Sequence, residues 1–407
     1  MKIFSFLVIF FSFSFSFLDA QIIKKDSITN HLRLENLPYY SYGRGIGMTS
    51  PDSIFQFNIR FRMQNRLTYL QTEDNKSIDG QIRRLRLRFD GFVGNPQFLY
   101  VIQLSFAPGD LGGFIEEGEN LQVIRDAALT YVPNKNWRFI FGQTKLPGNR
   151  QRIVSSGALQ LTDRSVNNAR FNIDRDFGIQ AYYLKQDLNK FSYALKTAIS
   201  NGEGRNFTRN NDLNFAYTAK LELMPFGAFN RDGNNFEGDL VREKKPKLFL
   251  GGVFSQNNFA KKSQGQLGDD LFESRTMTST FLESLVKYQG FSLAVCYMNR
   301  STLRDPLTFN PLNSNDIRYV WTGEGMDYQG SYLFPKNYEL ILRYSEIKPY
   351  HRISNFEPKR QEFTLGLTKY LWEHAFKLQS EVTFQQANHF NQNTNQWYFR
   401  FQLEMGI

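Results

Sequence analysis

Of 407 residues only one is a cysteine, Cys296. No disulfide can form within the chain, and a lone thiol in an alternating apolar run reads as a small wall residue rather than a nucleophile. Histidine is almost as scarce. His31, His351, His374 and His389 show no metal-ligand spacing and no neighbouring Ser or Asp pattern, so an enzyme would lack its base and no cofactor or metal is implied. Beyond the first twenty residues no window holds the roughly 18 consecutive apolar residues that a membrane helix needs. No Lys/Arg run exceeds a pair such as Lys244-Lys245, which makes nucleic acid the weakest partner for a chain of formal net charge +10. Internal repeats and low-complexity linkers are also absent.

What the chain does have begins with Lys2 and an apolar stretch from Ile3 to Leu18, ending in Leu18-Asp19-Ala20. This reads as a secretory signal peptide over residues 1–20. Forty Phe and 20 Tyr then stand beside a mean hydropathy of −0.45. A closed barrel reconciles the two, because it spends aromatics on a lipid face and interfacial girdles and keeps a wet interior.

Period-two alternation decides the class. From Phe55 the odd positions read Phe55, Phe57, Ile59, Phe61, Met63, Asn65, Leu67, Tyr69, and the even ones Gln56, Asn58, Arg60, Arg62, Gln64, Arg66, Thr68. At the C-terminus Trp397, Phe399, Phe401, Leu403, Met405 and Ile407 alternate with Gln396, Tyr398, Arg400, Gln402, Glu404 and Gly406. Successive strand side chains point to opposite faces, and no helical period fits either run. Like segments at 81–93, 97–107, 122–132, 136–143, 176–184, 190–201, 212–224, 246–254, 276–288, 290–300, 326–333, 337–346, 361–371 and 375–386 bring the expected total to about sixteen strands.

Short turns at 94–96, 133–136, 186–189, 288–290, 335–337 and 372–374 alternate with longer polar stretches at 70–80, 108–121, 144–175, 202–211, 255–275, 301–325, 347–360 and 387–395. That asymmetry marks an all-β, transmembrane, antiparallel up-and-down barrel with both termini in the periplasm. Segment 225–245 breaks the rule: either it folds on the periplasmic end or the count is off by a pair. A β-sandwich adhesin would not show the asymmetry and ranks below the barrel. The expected layout is a signal peptide at 1–20, a periplasmic leader at 21–52 and a barrel domain at 53–407, located in the outer membrane of a Gram-negative cell.

The inward face of the first strand carries Arg60, Arg62 and Arg66, and that of the second Arg84, Arg86 and Arg88. Guanidinium is always charged and offers a planar fork suited to phosphate or carboxylate. Rungs two residues apart, about 6.5 Å, form a ladder between whose sites an anion can hop. Asp90, Asp126, Glu222, Glu339 and Glu404 would moderate the attraction. In the competing reading the arginines merely pair with such acids and give a general porin its transverse field. The longest connection, 144–175, carries Lys145, Arg150, Arg152 and Arg164. It is too long for a plain surface loop, and an inward constriction loop and an exposed basic loop are equally open readings.

Five motifs in order resemble the phosphate-selective porin O and P family. They are the entry Gly43-Arg44-Gly45-Ile46-Gly47-Met48-Thr49-Ser50-Pro51-Asp52 with the first strand; Arg83-Arg84-Leu85-Arg86-Leu87-Arg88-Phe89-Asp90-Gly91; Ile124-Arg125-Asp126-Ala127-Ala128-Leu129-Thr130-Tyr131; Phe141-Gly142-Gln143-Thr144-Lys145-Leu146-Pro147; and Asp174-Arg175-Asp176-Phe177-Gly178-Ile179-Gln180, followed by Ser200-Asn201-Gly202-Glu203-Gly204. The resemblance implies a sixteen-stranded, usually trimeric outer-membrane barrel with an inward-folded loop and an arginine ladder that draws small anionic solutes through. The last strand is similar to the signal read by the barrel assembly machinery, although that signal usually ends in Phe and here ends in Ile407. A non-selective porin, a plugged structural or binding barrel, and an energised receptor are the other readings. The receptor would need a plug domain for which 21–52 is too short.

Overall fold

The computed structural model describes residues 39–41, 45–111, 123–206, 214–389 and 392–407. The signal-peptide reading and most of the leader lie outside them. Sixteen antiparallel strands form the wall: β1 Phe55–Gln71, β2 Lys76–Val93, β3 Phe98–Ser105, β4 Ile124–Tyr131, β5 Trp137–Lys145, β6 Arg175–Lys185, β7 Ser192–Ser200, β8 Ala216–Met224, β9 Lys247–Lys262, β10 Asp270–Tyr288, β11 Phe291–Thr302, β12 Gly323–Phe334, β13 Tyr338–Pro349, β14 Lys359–Trp372, β15 Phe376–His389 and β16 Gln392–Gly406. Each pairs with the next, and β16 closes on β1 with Trp397 opposite Gln71 and Gly406 opposite Arg62. Closure leaves no unpaired edge in a medium that cannot hydrogen-bond one. Below the end of β16, Gly45–Thr49 takes over that edge of β1, with Ile46 opposite Ile59.

All sixteen expected strands are present. Three expected loops are shorter than read, because β1 and β2 meet across 72–75, β9 and β10 across 263–269, and β15 and β16 across 390–391. Strands that rise above the lipid keep their ladder bonds but lose the apolar face, so alternation fades before the strand ends. The expected 301–325 loop holds a small hairpin of its own, Leu307–Asn310 with Asn313–Tyr319.

Outward positions carry apolar residues such as Phe254, Leu282, Leu342 and Leu365. An aromatic row crosses five neighbouring strands in register: Tyr328, Tyr344, Phe363, Phe384 and Trp397. Near the short-turn end Trp137, Tyr288, Phe334, Tyr338 and Trp372 are exposed on the same face. These are the two girdles of a lipid-embedded barrel. Among the described residues no helix is long and apolar enough to cross a membrane.

The lumen is far from empty. Loop 146–174 folds inward, which settles the choice left open by the sequence. Leu146, Phe171 and Ile173 pack with Val253, Phe281, Met298, Trp321, Ile347 and Ile353 into an apolar core inside the barrel. Apolar residues thus occupy lumen positions of β9, β10 and β11, where a water-filled pore would carry polar ones. Segment 225–246 also turns inward, from the short-turn end, with Ala228 and Phe229 packed on Met224, Phe249 and Leu285. The strand count therefore holds, and 225–246 is a long connection at the short-turn end, the alternative that the sequence allowed for.

Candidate functional site

The constriction loop coats the inner wall. Its Gln160 carbonyl accepts from Thr368 (2.6 Å) and Gln379 (2.8 Å), Thr162 donates to Glu381 (2.7 Å), and Ser165 donates to Asp327 (2.7 Å). The tip at Ser155–Ala158 reaches β1, where Arg62 donates to Ser155 (2.9 Å) and Ser156 (2.6 Å). Gly157 allows this approach, since a Cβ there would lie 2.3 Å from Arg62 Nη1. Between the loop and the wall remains an open cavity of about 940 Å³. Thirteen cationic side chains line it against six carboxylates.

All six expected ladder arginines fall at lumen positions, and four of them face one another as rungs: Arg60 stands opposite Arg88 and Arg62 opposite Arg86, while Arg84 stands opposite Gln64 and Arg66 opposite Gln81. They are not free forks. Arg60 binds Asp90 at 2.6 Å and Arg88 contacts the same carboxylate at 3.4 Å. Arg66 (2.6 Å), Arg83 (2.9 Å) and Arg84 (2.9 Å) converge on Asp163 of the loop. Arg86 binds Asp110 at 2.7 Å, which Arg125 also holds at 2.9 Å, and Arg86 donates to Ser156 at 2.8 Å. Arg62 lies 3.7 Å from Glu404. The ladder is one of shared ion pairs, in which each carboxylate reduces the charge that several guanidiniums present to the passage; Asp90 and Glu404 are among the expected counter-charges, and Asp163 and Asp110 join them.

Burial alone would raise the Asp163 pKa, but Arg84, Arg83 and Arg66 outweigh it and hold the carboxyl well below its ordinary range. Asp110 behaves likewise: desolvation opposes ionisation, while Arg86, Arg125 and the Ser105 hydroxyl favour it more strongly.

Of the loop residues, Lys145, Arg152 and Arg164 line the cavity. Lys145 donates to the Ile153 carbonyl at 2.5 Å, Arg152 to Asp174 at 2.6 Å, and Arg164 to the Val154 carbonyl at 2.8 Å. Arg150 does not join them. It turns away and donates to the carbonyls of Asn234 (3.0 Å) and Phe236 (2.6 Å) in the 225–246 insert. Arg60, Arg62 and Arg66 flank the cavity rather than line it.

Sequence reasoning missed Arg83 and Arg125, and for the same reason. Each is the extra residue of a β-bulge: Gln64 and Asn65 face Arg84 and Ile82, and Gln103 and Leu104 face Asp126 and Ile124. A bulge puts two adjacent side chains on one face. The doublets Arg83-Arg84 and Arg125-Asp126 carried the signal, since strict alternation would aim one charge of each at lipid.

A closed sixteen-stranded barrel with aromatic girdles, an apolar outer face and a polar lumen narrowed by an inward loop is an outer-membrane porin in architecture. Residues 57–238 match the family model "Phosphate-selective porin O and P", which bears out the resemblance read from the motifs; the fold and the matched family are both those of channels. No curated protein matches. Among solved structures the chain is similar to the outer membrane channel DcaP of Acinetobacter baumannii, at 15% identity, TM-score 0.54, and 89% and 99% of the two chains covered. It is similar also to Salmonella typhi OmpF, at 12%, 0.55, 88% and 100%, and to the anion-selective porin from Comamonas acidovorans, at 9%, 0.52, 86% and 100%. At these identities the likeness is one of fold.

Proposed function

We propose that the protein is a passive outer-membrane diffusion channel with a preference for small anions, of which phosphate and similar oxyanions or carboxylates fit the guanidinium forks best. The observation that carries this reading is the excess of thirteen cationic groups over six carboxylates around the open cavity. A low-dielectric wall focuses the field of such an excess into the passage and raises the local anion concentration. Arg84, Arg86 and Arg88, with Arg60, Arg62 and Arg66 beside them, form the ladder. Lys145, Arg152 and Arg164 supply the opposite side from the constriction loop. Sharing of the forks with Asp90, Asp110 and Asp163 keeps each site weak enough to release its ion, which conduction requires.

The same ion pairs favour a second reading, a general porin with a transverse field and little selectivity. The two separate in planar bilayers: an anion channel shows chloride current blocked by phosphate, with the block weakened in Arg86→Ala, whereas a general porin shows no block.

Two partner assignments accompany this reading. The strands β3, β4, β5, β7 and β8 are only eight or nine residues long, and the outer face of β3 to β6 presents a groove lined by Phe98, Leu129, Tyr131, Phe139, Phe141 and Ile179. That low, aromatic wall suits contact between copies in a homotrimer. Native mass of the detergent-solubilised protein tests it, and a monomer would refute it. The alternating β16 is the segment offered to the assembly machinery after signal-peptide cleavage.

A further inference from the structure

Segment 225–246 does more than fill space. Gly290 N–H donates to Asp239 (2.7 Å) and Arg242 donates to the Leu333 carbonyl (2.8 Å), so the segment is moored to the turns after β10 and β12. From there it reaches up to the constriction loop. Glu237 N–H donates to the Ala158 carbonyl (3.0 Å), and the Glu237 carboxylate accepts from Gln160 N–H (3.0 Å) and from Gln329 Nε2 (3.1 Å). Gly238 sits at φ +69°, and a Cβ there would fall 2.6 Å from Glu339 and 2.9 Å from Gln160. In return the loop sends Arg150 down to Asn234 and Phe236, while Lys287 of β10 donates to the carbonyls of Gly233 (2.6 Å) and Phe236 (3.0 Å). Glu237 and Arg150 are both buried.

We propose that 225–246 is a periplasmic brace that fixes the constriction loop, and with it the aperture of the channel, through a joint made by Glu237 and Arg150. The brace lies under the β8 to β13 half of the lumen and joins the loop into one partition, so the aperture remains on the side formed by β14 to β16 and β1 to β6. Glu237 is a positioning residue. Its hydrogen bonds go to Ala158, Gln160 and Gln329, none of which lines the cavity, and it acts on the passage through residues 158–160. A loop anchored only to the wall would be held at its sides, and the brace supports it from below.

The claim about aperture rests on the channel reading, whereas the claim about loop position does not, so two measurements keep them apart. The first is trypsin cleavage of the folded, detergent-solubilised barrel at Arg152 and Arg164, with folding checked by heat-modifiable gel mobility. Losing a buried hydrogen bond to a charged group shifts a local opening equilibrium by about tenfold or more. Glu237→Ala and Arg150→Met are therefore each expected to speed loop cleavage by about that factor. Arg231→Ala, which removes only an exposed pair with Glu373, is expected to leave it unchanged. The second measurement is single-channel current, where the two joint variants are expected to show larger conductance with frequent brief closures. Wild-type resistance in both joint variants, or equal cleavage in Arg231→Ala, overturns the brace. A silent wild-type pore overturns the channel reading instead, with the cleavage result still deciding the brace.

Discussion

Asp163 is the carboxylate on which the account depends most, because Arg66, Arg83 and Arg84 all end on it. Asp163→Asn keeps its shape and removes its charge. The loop is expected to stay in place, since Thr162 is held by Glu381 and Ser165 by Asp327 on either side. What changes is the passage: three guanidiniums lose their common counter-ion, and one of the six lining carboxylates disappears. A unit charge about 4 Å from a bound anion is worth between about 1 kcal/mol in bulk water and about 4 kcal/mol at an intermediate effective dielectric. Asp163 is partly exposed and the cavity is open, so a value near the low end applies, about 1.4 kcal/mol or roughly tenfold. The assay is block of single-channel chloride current by added phosphate. The half-blocking concentration is expected to fall about tenfold in the variant, and the block to outlast that of the wild type. A block that is unchanged or weaker would refute the argument that loop carboxylates moderate the ladder.

Two further outcomes follow from the same geometry. Asp110 and Asp163 are held ionised below the usual carboxylate range, so anion preference measured with a strong-acid salt is expected to stay flat from about pH 5 to about pH 8. Because their folded-state pKa values are depressed, the stability that their ion pairs with the wall arginines contribute is complete above the ordinary value of about 3.9 and declines progressively as pH falls below it, which acid unfolding of the barrel would report; a transition near neutrality would contradict this. On the outside, Leu282 faces lipid on β10 and is exposed. Leu282→Arg is expected to lower barrel stability in vesicles by as much as about 2–4 kcal/mol if it sits near the bilayer midplane, as read by denaturant unfolding, while an unchanged midpoint would mean that this face does not meet lipid.

Much of the fold was legible because a barrel wall obeys one simple rule. Phe55 to Tyr69 and Trp397 to Ile407 alternate cleanly since one face meets lipid and the other meets the lumen. The rule failed where that boundary condition failed. Lys76 to Gly80 and Lys359-Arg360 are strand residues beyond the apolar band, and they looked like loop. Phe281 and Met298 point into the barrel and are apolar because the constriction loop packs on them, and Phe249 because the 225–246 segment does, which no local pattern announces. The candidate site was legible in kind but not in pairing. Arg84 and Arg86 could be placed on the inner face, yet their partners Asp163 and Asp110 lie 79 and 24 residues away, separations that only the folded chain bridges. Arg150 looked like its neighbours Arg152 and Arg164, and went elsewhere because an insert unique to this chain's pattern of turns offered it two carbonyls.

The most direct test of the central claim is the reversal potential of single channels of the refolded protein under a salt gradient in planar bilayers. The account predicts a potential of the sign set by anions, reduced when Arg86 is replaced by Ala. A potential near zero, or one of cation sign, would contradict it.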